Sequence, residues 1–144
     1  MRQPAKNSTI PRLSDRLPYV YEVPGIYRPG WRCGAVSRYL LANWVHSLWE
    51  GHFPLGTLLV NMLGSAAIGV VFVLLERALI HPDWRGVLMV GFLGAFTTFS
   101  TFSLETISLW EAGHMGQAMA YMIGSTVLCV LAAGVAIYSA RLVI

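Results

Sequence analysis

Charge is scarce in this chain and is missing altogether from three long stretches. Asp, Glu, Lys and Arg make up 12 % of the 144 residues, against 56 % apolar residues, and none of the four falls within 55–75, 86–104 or 112–140. Such a composition excludes an ordinary soluble domain. Each run is close to or above the about 20 residues that cross a bilayer. Cysteine is almost absent as well. Cys33 and Cys129 stand alone, with no C-x-x-C and no histidine at ligand spacing, which excludes a disulfide framework and a zinc site. His46, His52, His81 and His114 lie near the ends of the apolar runs and read as interfacial. No combination of nucleophile, base and oxyanion donors occurs, so an enzyme is not expected, and neither is a nucleic-acid partner. The basic start has no apolar core beside it, so no cleavable signal is expected.

What is present is an all-α membrane protein with four transmembrane helices. The spans are expected at 31–49, 55–75, 86–110 and 117–140, forming one compact domain over 31–144. The first is the least apolar, because Arg32 and Arg38 lie inside it. Residues 1–30 hold Pro4, Pro11, Pro18, Pro24 and Pro29 together with basic residues, and read as a disordered tail on the membrane surface. Trp44 and Trp49 suit an interface, and His81, Pro82 and Asp83 stop the second helix. Gly91, Gly94, Thr97 and Thr98 weaken the third span in its middle, which predicts two half-helices joined by a short non-helical turn near Phe96. Ser65 with Gly69, and Ala120 with Gly124, place small residues at i, i+4 where helices can approach closely.

The most specific stretch is GFLGAFTTFSTFSLE at 91–105. Hydroxyls beside a glycine-rich run mark a place where backbone can leave the helix around something polar. With GTLLVNMLG at 56–64 it resembles the fluoride channel family (Fluc, also called CrcB), whose third span carries the same G-x-x-G-x-x-TTFSTF pattern. The element GWRCGAVSRYL resembles the family's G-x-x-x-Arg-Tyr signature at Gly34, Arg38 and Tyr39. The resemblance covers Gly34 to about Gly134. Two departures stand out: GIYRPGWRC replaces an apolar approach to the first element, and the glycine pair at the break reads Gly94-Ala95.

The resemblance implies an antiparallel, dual-topology-type dimer with two pores in a bacterial inner membrane, and passive export of fluoride from the cytoplasm. It implies a structural sodium ion on the backbone carbonyls of Gly94 and Thr97; the alternative is a kinked helix whose hydroxyls bond the preceding turn. Phe99 and Phe102, three apart, share a helical face, and ring edges are electropositive enough to meet a small anion. Unaided, such a pair more often faces lipid or core; the motif assigns it to fluoride. Asn61 can donate to an anion through its NH₂ or serve an interhelical hydrogen bond. Tyr121, Ser125 and Cys129 form a polar stripe at i, i+4, i+8, with Tyr121 and Ser125 as pore candidates and Thr57 a further one at the mouth of the second span. Arg38 either draws anions into a vestibule or snorkels to the interface. Glu105, the carboxylate inside a span, requires a partner.

Two other readings compete. A small multidrug-type proton-coupled exporter also has four spans, but it needs a titratable carboxylate in the first, and 31–49 contains none. A non-conducting membrane subunit would use the polar residues for packing alone. Topology carries a separate signal. Arg2, Lys6, Arg12, Arg16, Arg28, Arg77, Arg85 and Arg141 fall on one side of the membrane and no Lys or Arg on the other. That bias predicts both termini inside. An antiparallel pore would then be a heterodimer with an oppositely oriented paralogue instead of a homodimer, and a basic residue of that paralogue could neutralise Glu105.

Overall fold

The structure, a computed structural model, describes residues 24–49 and 51–144; the tail expected over 1–30 lies outside it up to residue 23. Helix α1 spans Pro24–Leu48, α2 Leu55–Glu76 and α5 Met115–Val143. Between α2 and α5 the third span is composite. A π-helix over Arg85–Leu93 runs into a single α-turn, α3, at Gly94–Phe96; after a break, α4 covers Phe99–Glu111. Three segments among the described residues are long and apolar enough to cross a membrane: Leu55–Glu76, Arg85–Glu111 and Met115–Val143.

Helix α1 begins at Pro24, seven residues before the expected Trp31. Proline tolerates that position, since the first N–H of a helix has no partner within it. Pro29 lies inside the helix, and with Arg28, Arg32 and Arg38 it leaves α1 the least apolar of the long helices. Helix α1 ends one residue before the expected 49 and α2 starts at the expected 55, while the remaining boundaries extend the expected spans by one to three residues.

The packing is set by small residues. A Cβ added at Gly34 would strike the Phe92 carbonyl oxygen, and one at Gly30 would lie 2.7 Å from the Val87 carbonyl oxygen. Hence α1 lies directly on the backbone of the π-helix, whose wide turns present those carbonyls. On α2, a Cβ at Gly64 would strike Thr97 Cγ2, and one at Gly69 would lie 2.8 Å from the Ala133 carbonyl oxygen on α5. Gly69 therefore makes the expected close approach. Gly124 does not: nothing lies within 4 Å of a Cβ placed there, and Ala120 is exposed. At one end of the bundle, Arg141 donates from Nε and Nη2 to the two oxygens of Glu76 at 3.0 and 2.9 Å, and Arg77 donates to the Arg141 carbonyl at 3.1 Å. These exposed pairs fasten the ends of α2 and α5 together, though each stabilises only weakly.

Candidate functional site

The break is the extended pair Thr97 (φ −78°, ψ 158°) and Thr98 (φ −149°, ψ 117°), immediately after the expected Phe96. Its backbone is satisfied from outside the span. Asn61 accepts the Thr98 N–H through Oδ1 at 2.8 Å and donates from Nδ2 to the Thr98 carbonyl at 3.0 Å, a two-point clamp. The Thr98 hydroxyl caps α4 by accepting the Thr101 N–H at 3.2 Å. Thr97 sends its hydroxyl back to the Leu93 carbonyl at 2.9 Å. In an unbroken helix the Thr98 N–H would donate to the Gly94 carbonyl; diverted to Asn61, it leaves that carbonyl without its intrahelical donor. Arg38 reaches the Thr97 carbonyl at 3.5 Å, at the limit of a hydrogen bond. Arg38 thus stands beside the break and lines neither of the two cavities described next.

A cavity of about 390 Å³ opens at the break, with Asn61, Gly94, Thr97, Phe99, Phe102 and Ser125 on its wall. Four spacings that looked separate in sequence converge there. Ser65 and Cys129 line it as well. Phe99 and Phe102 have ring centroids 5.4 Å apart and planes 42° apart, and Phe99 is 79 % exposed on the single chain. Ser125 is the exception among the polar groups: the residue is 5 % exposed and its Oγ has no hydrogen-bond partner among the described residues. A buried polar atom without a partner is uncommon and costs about 1–3 kcal/mol. Asn61 keeps one of its two N–H groups beyond the bond to Thr98. The wall therefore offers neutral donors and ring edges to a small anion, with no lysine or arginine to trap it.

Thr57 and Tyr121 fall elsewhere. Thr57 donates to Glu105 Oε1 at 2.8 Å and Tyr121 donates to Oε2 at 2.7 Å. Both oxygens of the carboxylate thus have a donor from this same chain. Tyr121 is fully buried, with its ring 5.2 Å from Phe102 and 5.5 Å from Phe53. On the far side of this cluster, a second cavity of about 260 Å³ lies beneath the 51–54 loop, lined by His46, Trp49, His52, Thr57 and Glu105. The Thr57–Glu105–Tyr121 cluster accordingly stands between the two cavities, with Phe102 connecting it to the first. The cluster escaped sequence reading because its members are 48 and 16 residues apart. Thr57 and Asn61, one turn apart on α2, were the available signal.

Among the described residues no group of three His, Cys, Asp or Glu side chains is placed to hold a metal. The oxygens freed at the break are of another kind, backbone carbonyls that suit a hard monovalent cation.

The profile of the CrcB-like protein family (camphor resistance, CrcB) matches residues 30–137. A fluoride-specific ion channel of Hahella chejuensis is 47 % identical over 116 residues, covering 80 % of this chain and 91 % of that protein. Channels of the same description from Saccharophagus degradans and Magnetococcus marinus are 46 % and 47 % identical; the matches cover 75 % and 79 % of this chain and 81 % and 94 % of theirs.

Proposed function

The chain belongs to the CrcB-like family and is a fluoride-specific channel of the membrane, and we propose that fluoride passes through the cavity at the break of the third span. The observation that carries this route is Ser125, whose buried Oγ lacks a partner among the described residues, on the wall that also holds Asn61, Phe99 and Phe102. A dehydrating anion would meet there the spare Asn61 N–H, the Ser125 hydroxyl and the ring edges in turn. None carries a full charge, which favours passage over trapping. Flow is passive and relieves the cytoplasm of fluoride. Vesicles holding the purified protein should lose fluoride without losing chloride and without a proton gradient; chloride loss, or flow only with a proton gradient, would contradict this.

The carbonyls of Gly94 and Thr97 fit a structural sodium ion, since the first has lost its intrahelical donor and the second has only the long contact with Arg38. The ion would supply positive charge that holds the break open. Two oxygens from one chain are few for a cation, so a second chain would complete the site and cover the exposed ring of Phe99. Exchange of sodium for a large organic cation should lower thermal stability of the assembly, and unchanged stability would remove the ion.

The partner chain is antiparallel in this reading. The one-sided distribution of Lys and Arg favours an oppositely oriented paralogue over a second copy, with α1 as the fourth span. Cysteine labelling of the 51–54 and 76–85 loops in intact cells distinguishes the two: equal access to both from outside means a dual-topology homodimer.

A further inference from the structure

Among the described residues, the second cavity is a mouth with no Lys or Arg on its wall. No Lys or Arg occurs between Arg38 and Arg77 or between Arg85 and Arg141, and Arg38 is directed to the Thr97 carbonyl. Among the described residues, the ionisable groups around it come from α1, the 51–54 loop, α4 and α5. Helix α1 contributes His46 and the 51–54 loop His52; α2 contributes only the neutral Thr57; α4 contributes Glu105 on the wall and Glu111 at its end. His114, at the start of α5, stacks on His52 with ring centroids 5.1 Å apart and planes 21° apart. With the imidazoles neutral, the charges of this mouth among the described residues are carboxylates, and Glu105 faces it. That is a poor entrance for an anion.

We propose that His46, His52 and His114 make this mouth a proton-dependent anion-binding vestibule, which captures fluoride when the imidazoles are charged and ceases to when they are neutral. The proposal rests on the channel reading above. Histidine is the side chain that ordinarily changes charge between about pH 5 and pH 8. A histidine gains positive charge as pH falls through that range and loses it as pH rises. Positive charge gained around the rim offsets the carboxylate at the base of the cleft and raises the local concentration of anions there. Here the base is the Thr57–Glu105–Tyr121 cluster, one ring contact from Phe102 and the cavity at the break. At the opposite end His81 lies beside Asp83 at 3.2 Å, and the basic residues there are Arg77, Arg85 and Arg141.

The experiment is fluoride current through planar bilayers holding the intact channel, at equal pH on both sides; neutral hydrogen fluoride carries no current and so does not interfere. At about 0.01 M ionic strength, where screening is weak, lowering pH from about 7.5 to about 5.5 should raise the current about fivefold, below the range reported for strongly charged clefts. Raising ionic strength to about 0.15 M should flatten most of that rise. The triple variant His46→Gln, His52→Gln, His114→Gln should match the wild type at the higher pH and show no rise at the lower. A wild-type current that flows but ignores pH, or a triple variant that keeps the full rise, overturns the vestibule while leaving the channel intact. Absence of fluoride current at both pH values overturns the channel reading itself.

Discussion

The two cavities hold polar groups of the same kinds in opposite conditions. Around Glu105 each carboxylate oxygen has its own hydroxyl donor, and Tyr121 beneath it is fully buried. At the break, among the described residues, a hydroxyl is buried with nothing to bond, an amide keeps an N–H beyond its bond to Thr98, and a phenylalanine ring lies open. Satisfied groups hold helices together; unsatisfied ones wait for something that the chain alone does not provide. On the proposed route, this contrast separates a girder from a pathway within one turn of α4.

The sharpest way to break the contrast is Asn61→Ala, because Asn61 belongs to both conditions. It removes the clamp on Thr98 and the spare donor together. A hydrogen bond to an ion is worth about 1.5–3 kcal/mol, so fluoride flux should fall roughly ten- to hundredfold in protein that still assembles. Near-normal flux, measured with a fluoride electrode, would confine Asn61 to structural duty. Tyr121→Phe acts on the satisfied side. It leaves Glu105 with one donor in place of two and should lower stability by about 1–3 kcal/mol, read as a shift of the thermal midpoint. An unchanged midpoint would mean that water replaces the hydroxyl and that the cluster is no girder.

Ser125→Ala sharpens the comparison with the smallest change. Deleting an unpartnered hydroxyl should leave the thermal midpoint where it is or raise it. Flux should still drop about fivefold, equivalent to losing about 1 kcal/mol of stabilisation along the path. A fall in stability with flux preserved would place Ser125 with the structural groups.

Much of this was legible in residue order. The runs free of charge mark three of the helices, and the glycines and threonines at 91–98 mark the break, because only backbone that finds outside partners can leave a helix in lipid. Asn61 and the polar stripe on α5 were visible as uncharged polar residues in apolar surroundings. The pairing of Glu105 was not: its partners are on α2 and α5, and only the docking of three helices brings them together. Nor was the π-helix, since Arg85–Leu93 has the residues of an ordinary apolar helix and takes its wide turns where α1 lies against it at Gly30 and Gly34. The early start of α1 at Pro24 was hidden by prolines that also suit an extended tail.

Cys129 gives the most direct test, because it lines the cavity at the break while Cys33 is exposed on α1. Protein carrying Cys33→Ser would be treated in vesicles with a bulky thiol-specific methanethiosulfonate, and fluoride efflux would be followed alongside the extent of labelling. If fluoride passes through that cavity, efflux falls in step with labelling of Cys129, returns when the mixed disulfide is reduced, and fluoride slows the reaction. Full labelling of Cys129 with efflux unchanged would put the pathway elsewhere.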